Sequence, residues 1–307
     1  MKKSVVLAGG SGFLGRSLAA ALVERGYAVI VLTRSPRQRR DEATTEIYWD
    51  GKSAGDWIQL IDGAEAVVNL TGRNVDCRYT PANRREIVES RTDSVRALAA
   101  AIEQCQVPPK VWVQAGSLAI HGDAGRCWCD ETAPPGSGFP VETCLLWEKA
   151  FDSISLPATR KALLRISFAL GRDGGALRTL TALTRWFLGG AAGTGRQFIS
   201  WIHIADLTRM FVWAIERDDI AGVLNATGPN PVSNAEFMRQ LRRVLRRPWS
   251  PPVPAWLVRI GACLIRTEAC LALTGRRGAP GRFCERGFEF QFPELRPALN
   301  DLFGRQI

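Results

Sequence analysis

The residues best suited to chemistry stand at the start of the chain. Val5-Val6-Leu7-Ala8 leads directly into Gly9-Gly10-Ser11-Gly12-Phe13-Leu14-Gly15, after which Leu18, Ala19, Ala21, Leu22 and Val23 recur with a helical period. A short apolar run of this kind is a strand buried on both faces, as in a parallel sheet. Glycines between such a strand and a helix let backbone amides at the helix N-terminus approach a pyrophosphate, where a Cβ would obstruct contact. A glycine triplet alone marks only a tight turn. With the strand before it and the helix after it, the segment predicts a dinucleotide site built from Gly9, Ser11, Gly12, Phe13, Leu14 and Gly15. The next apolar run, Tyr27 to Thr33, ends in Arg34-Ser35-Pro36-Arg37. An acidic residue there would accept hydrogen bonds from ribose hydroxyls, whereas a guanidinium can hold two oxygens of a 2′-phosphate. The expected cofactor is NADP(H) rather than NAD(H), with Arg34, and next to it Arg37, at the phosphate. Arg39 and Arg40 read as a solvated loop.

The elements that must position this loop alternate along the first half of the chain. Ala64 to Leu70 is a further strand, closed by Thr71-Gly72, and Pro81 opens a long helix carried by Ile87, Val88, Val95, Leu98 and Ile102. Pro108-Pro109 ends it before a strand at Val111 to Ala115; a helix over Glu142 to Ile154 and a strand over Ala162 to Phe168 follow. Strands alternating with helices predict an α/β fold, a Rossmann-type doubly wound parallel sheet. Beyond residue 167 the pattern changes to short apolar pieces separated by glycines at 171, 174, 175, 189, 190, 193 and 195. The expected organisation is a cofactor domain over 1–167, taking in about 199–217 as well. A smaller substrate-binding lobe over 168–307 closes on the carboxyl ends of the strands.

Composition narrows the classes. The 307 residues are 46% hydrophobic and 23% charged, which suits a soluble globular chain with a sizeable core. The best candidate for a membrane span, Val253 to Leu273, is interrupted by Arg259, Arg266 and Glu268, so no stable membrane insertion is expected. Met1-Lys2-Lys3-Ser4 runs straight into a strand rather than a secretory signal, and eight cysteines without regular spacing suggest reduced thiols; both point to the cytoplasm. With two histidines and Cys127-x-Cys129 as the nearest cysteine pair, no zinc set is expected. The net charge of +10 is partly concentrated between Arg239 and Arg247. There Phe237, Leu241, Val244 and Leu245 share one helical face, and Arg239, Arg242, Arg243, Arg246 and Arg247 another. Such a helix can lie on anionic membrane or bind an acidic partner, but its plainer reading is a surface helix docked by its apolar side. No reader motif accompanies the arginines, so nucleic acid is not an expected partner; a small-molecule substrate is.

With these segments in place, the chain resembles the extended short-chain dehydrogenases/reductases. Within them it is most similar to the atypical branch of epimerase-family proteins, the nucleoside-diphosphate-sugar epimerase branch. The resemblance rests on the glycine loop, Val68-Asn69-Leu70-Thr71-Gly72, Glu89-Ser90-Arg91, Trp147-Glu148 and Gly174-Gly175-Ala176-Leu177. It continues through Ser200-Trp201-Ile202-His203-Ile204-Ala205-Asp206 and Pro231-Val232-Ser233-Asn234-Ala235-Glu236-Phe237, and so covers nearly the whole length. It implies a Rossmann domain binding NADP(H), with further cofactor contacts at Leu70, Thr71, Gly72, Arg91 and Ser167. It also implies that Gln197 and Trp201 face the cleft, where an amide and an aromatic face would suit a sugar-like or planar substrate; the plainer alternative for Trp201, one of ten tryptophans, is a core position.

The wider superfamily works through a Tyr-x-x-x-Lys pair and a Ser or Thr, the lysine lowering the phenol's pKa. Here Tyr48 and Lys52 match the spacing but lie far from the helix that should carry them. Where the pair belongs the chain has Cys144 and Glu148, and a carboxylate raises rather than lowers the pKa of a neighbouring thiol. Ser117 falls where the superfamily's catalytic hydroxyl belongs, and His121 follows within the same loop; the two could share the proton work, or both could simply line the strand end and satisfy local hydrogen bonds. His203, in an apolar setting, reads as structural. Two functions compete: an NADP(H)-dependent oxidoreductase or epimerase with non-standard catalytic residues, and a non-catalytic NADP(H)-binding or sensing protein. Oligomeric state is not legible.

Overall fold

Seven strands, all pairing in parallel, build the central sheet of the computed structural model, which describes residues 3–36, 43–247 and 249–304. Arg37, Arg39 and Arg40 lie outside the described residues. The strands are β1 (Ser4–Ala8), β2 (Ala28–Thr33), β3 (Thr44–Tyr48), β4 (Ala66–Asn69), β5 (Val111–Ser117), β6 (Arg160–Ile166) and β7 (Gly222–Ala226). Their spatial order is β7-β6-β5-β4-β1-β2-β3, so the winding reverses between β1 and β4 and leaves a crevice at the carboxyl ends there. Val5 to Ala8 and Ala66 to Val68 have no exposed surface, which explains why these strands are uninterrupted apolar runs and not alternating ones. Helices cover both faces: α1 (Phe13–Glu24) packs against α5 (Ile204–Glu216), and α2 (Pro81–Glu103) against α3 (Phe139–Asp152). The doubly wound α/β architecture is therefore present as expected. α2 begins where its residues dictate, with Pro81 in the first turn and the Thr80 hydroxyl accepting the Asn83 amide.

The sheet draws on more of the chain than expected. β3 lay unrecognised because Thr44-Thr45-Glu46-Ile47-Tyr48 is a half-polar edge strand, and β7 comes from beyond the 199–217 segment. A second core gathers Leu170, Leu177, Phe237, Met238, Leu295 and Leu299 between α4 (Gly175–Arg185), α6 (Asn234–Val244) and the C-terminal helix Leu295–Phe303. The arginine-rich helix is thus docked by its apolar face, burying Phe237, Met238 and Leu241, while Arg239 pairs with Glu236 along its own surface. Phe13 lies tightly against the glycines that follow the strand Phe168–Leu170. A Cβ at Gly171 would come within 2.2 Å of its Cζ, and one at Gly174 within 2.5 Å of its Cβ.

Candidate active site

The turn after β1 is shaped by contacts that only glycine permits. Gly9 has φ +74°, and a Cβ there would lie 2.9 Å from Thr71 Cα; one at Gly15 would lie 2.2 Å from the Gly10 carbonyl oxygen. Gly12 differs, because a Cβ there would meet nothing within 4 Å. Gly12 is also the N-cap of α1, and no side chain caps that helix, so the amides of its first turn are left to an incoming anion. Thr71, which lies against Gly9, and Ser167 have buried hydroxyls without a hydrogen-bond partner among the described residues. Asn69 holds the neighbouring loop, its Oδ1 accepting the Thr71 amide at 3.0 Å while its Nδ2 donates to Gln114 Oε1 at 3.0 Å. At the end of β2, Thr33 donates its hydroxyl to Ser11 Oγ at 2.9 Å, and Arg34 is exposed beside it. Orphaned hydroxyls, an uncapped helix and open space over Gly12 together fit a dinucleotide.

Deeper in the crevice, the expected catalytic residues are brought together, though not in the expected roles. Ser117 ends β5, its Oγ accepting the Ala119 amide at 3.2 Å and capping the turn Leu118–His121. His121 is 3% exposed; its Nδ1 lies 3.2 Å from the Pro134 carbonyl, which assigns the proton to Nδ1 and leaves Nε2 buried without a partner. Burial above all, with Arg165 and Arg276 nearby, lowers its pKa from the usual histidine value despite the Pro134 hydrogen bond. Cys144 faces the same space from α3. Its thiol is pushed up to about 11, first by burial and then by Glu148, against the opposing pull of Arg91, Arg276 and Arg165. Iodoacetamide at mildly alkaline pH is expected to label exposed Cys127 and Cys263 readily and Cys144 at least about a hundredfold more slowly. Peptide mass spectrometry of the labelled chain reads this out, and labelling of Cys144 at the rate of the exposed thiols would contradict a buried neutral thiol.

Two arginines that sequence reasoning missed organise the site. Arg165 on β6 clamps Glu148 through one edge of its guanidinium, Nε to Oε1 at 2.9 Å and Nη2 to Oε2 at 2.8 Å. Glu148 therefore belongs to a buried ion pair and is not free to act as an acid or base. An arginine within the apolar run Ala162 to Ile166 was the available signal, since a buried guanidinium needs an acidic partner. Arg276 gave no such signal. It reaches the cleft from the second lobe, interacts with Cys144 and Asp123, and its side chain makes no hydrogen bond among the described residues. Arg91 lies opposite, with Nη1 donating to the Arg73 and Ile87 carbonyls at 3.1 and 2.9 Å and its guanidinium 5.1 Å over the Trp147 ring.

Other expectations are corrected or refined. Trp201 does not face the cleft: its ring is fully buried in the second core, with Nε1 donating to the Asn230 carbonyl at 2.8 Å. Gln197 spends its amide donors on the Ala192 and Ala272 carbonyls, both at 2.9 Å, and so clasps two segments of the second lobe. His203 is structural as expected, its Nδ1 accepting the Ala205 amide to cap α5. Tyr48 stands exposed on the sheet's edge strand.

Comparison with known proteins agrees with this geometry. Residues 5–226 match the model of the NAD dependent epimerase/dehydratase family, and residues 253–302 match a domain of unknown function, DUF1731. The human epimerase family protein SDR39U1 is 34% identical over 304 residues, covering 97% of this chain and 99% of that protein. Its chloroplastic homologue from Arabidopsis thaliana is 33% identical, covering 96% of this chain and 85% of the plant protein. A crystal structure of human SDR39U1 (isoform 2) with NADPH superposes with a TM-score of 0.87 at 32% identity, over 97% of this chain and 98% of that one. Taken with the parallel sheet and its glycine turn, these matches make the chain a member of the NAD-dependent epimerase/dehydratase family, in its atypical epimerase-family branch.

Proposed function

We propose that the chain binds NADP(H) across the carboxyl edge of the sheet and serves hydride exchange with a small carbonyl or hydroxyl substrate that carries an anionic group. The observation that carries the cofactor reading is the open, uncapped α1 N-terminus at Gly12, walled by glycines that tolerate no side chain. Gly9, Ser11, Gly12, Phe13, Leu14 and Gly15 would hold the pyrophosphate side. Leu70, Thr71, Gly72, Arg91 and Ser167 would line the remainder, and Arg34 would meet the 2′-phosphate. When bound, the nicotinamide supplies or accepts the hydride. The chain's own part is the proton and the positioning. The Ser117 hydroxyl can donate to a substrate oxygen, and the unprotonated Nε2 of His121 can take a proton within the same turn. Arg276, a cation whose side chain makes no hydrogen bond among the described residues, supports a carboxylate or phosphate on the substrate.

One observation favours a second reading. The positions of the superfamily's tyrosine and lysine hold a neutral thiol and an ion-paired carboxylate, which suits a protein that binds NADP(H) without turning it over. Incubating the protein and NADPH with a panel of neutral and carboxylate-bearing carbonyl compounds separates the two, followed by loss of nicotinamide absorbance. Oxidation limited to the anionic members supports the first reading. Tight NADPH binding with no oxidation across the panel supports the second.

Cofactor preference has its own test. Arg34→Ala is expected to weaken NADPH at least about tenfold, by removing a charge-assisted contact to phosphate, and to leave NADH within about twofold. Fluorescence titration of both cofactors measures it. Equal losses for the two would show that Arg34 does not read the 2′-phosphate.

A further inference from the structure

We propose that one face of the second lobe, formed by α7 (Ala255–Leu264), Trp249 and residues 186–188, docks on an anionic membrane surface. α7 turns its apolar side outward. Only Ala262 is buried, while Trp256, Leu257, Ile260 and Leu264 are all exposed and fall within an arc of about 100° on a helical wheel. Leu264 is 78% exposed and Trp256 61%. A second exposed apolar group, Trp186-Phe187-Leu188, follows α4, with Trp186 at 79%.

The two groups are tied side by side. The Val253 amide donates to the Ala191 carbonyl and the Gly193 amide to the Val253 carbonyl, both at 2.8 Å, in a parallel bridge between Ala192 and Val253. That register carries Trp249 toward Leu188, and the Arg247 guanidinium sits 5.0 Å over the Phe187 ring. Large aromatic and aliphatic side chains are thus displayed from adjoining segments of one lobe, a feature that monomeric proteins rarely leave unused.

Charge selects the occupant. Residues 174–205 carry three arginines and residues 237–267 seven, with no aspartate or glutamate in either stretch. Glu236 at the start of α6 is already taken by Arg239, so a second copy of the chain would bring mainly arginines face to face, which opposes self-association. Tryptophan and leucine on one face with arginine around them is the pattern of a helix lying at the headgroup boundary of an anionic bilayer. Nothing in it requires a span: among the described residues, no helix is long and apolar enough to cross a membrane. The basic helix α6 contributes its arginines as the rim, since its own apolar face is already used in the second core.

Vesicle flotation tests this with the whole 307-residue chain. Vesicles of phosphatidylcholine with about 30% phosphatidylglycerol are expected to float the protein, and phosphatidylcholine alone to bind it at least about tenfold more weakly. Binding to the anionic vesicles should fall steeply as salt is raised from about 0.1 to 0.5 M. The double variant Trp256→Glu/Leu264→Glu, changed only at exposed positions, should lose at least about tenfold in vesicle affinity with an unaltered circular-dichroism melt. Arg243→Glu/Arg259→Glu, also exposed, should lose as much on anionic vesicles alone. The proposal is overturned by equal binding of parent and Trp256/Leu264 variant, or by no binding to anionic vesicles. A dimer on gel filtration that this variant dissociates, without vesicle binding, would also overturn it.

Discussion

Gly12→Asp is expected to remove NADPH binding while leaving the protein as stable as before, whereas Gly15→Ala is expected to lower stability itself. At Gly12 the backbone is extended, with φ −74° and ψ 179°, so any residue can adopt it, and a side chain would enter open space. Aspartate is a favoured N-cap, worth a few tenths of a kcal/mol over glycine. Its carboxylate would accept the α1 amides that the cofactor needs and repel the pyrophosphate, for an expected loss of at least about a hundredfold, or about 2.7 kcal/mol, in NADPH affinity. At Gly15 a methyl would stand 2.2 Å from the Gly10 carbonyl oxygen and 2.4 Å from its Cα. Neither is a flexible side chain, so the backbone must move, at a cost of about 1–3 kcal/mol. Urea unfolding and fluorescence titration together separate the two effects. A Gly12→Asp protein that still binds NADPH normally would remove the anion site from α1.

The second large effect is in the buried pair of Arg165 and Glu148. Both side chains are largely withdrawn from solvent, and the pair is bidentate at 2.8 and 2.9 Å. Removing one partner leaves the other charged in a poorly hydrated place, so Arg165→Met is expected to cost about 3–5 kcal/mol. Replacing both, as Arg165→Met with Glu148→Leu, exchanges the pair for apolar contacts and is expected to restore most of that loss. Urea midpoints of the two single variants and the double one measure the coupling. Single variants that each cost less than about 1 kcal/mol would show that water reaches the pair more freely than its burial suggests.

What could be read from the residues was what local pattern controls. The strand, glycine turn and helix at the N-terminus are contiguous, so their spacing carries both the fold class and the anion site. The start of α2 was legible through Pro81, and the docking of α6 through its apolar stripe. Reading ran out where a residue's role depends on a distant partner. Trp201 looked like a cleft residue because its motif adjoins the site, but an indole with its N–H satisfied by Asn230 packs equally well in a core. The meaning of Glu148 changed once Arg165, on a different strand, was seen to hold it. Arg276 lies far along the chain from Cys144, and only the closure of the second lobe brings the two together. The outward face of α7 was hidden for the same reason. An apolar helix in a sequence reads as a buried one until its neighbours are known.

The clamp on Glu148 has a bearing on descent. Suppose an ancestor of this chain carried a phenol and an ammonium at positions 144 and 148. Restoring tyrosine at 144 alone would place it beside a carboxylate that disfavours its ionised form. Restoring lysine at 148 alone would set an ammonium against the guanidinium of Arg165. Each single step back is penalised, and only a concerted change at all three positions recovers the pair. With Arg165 and Glu148 paired, the arrangement would work as a ratchet against single-step reversion.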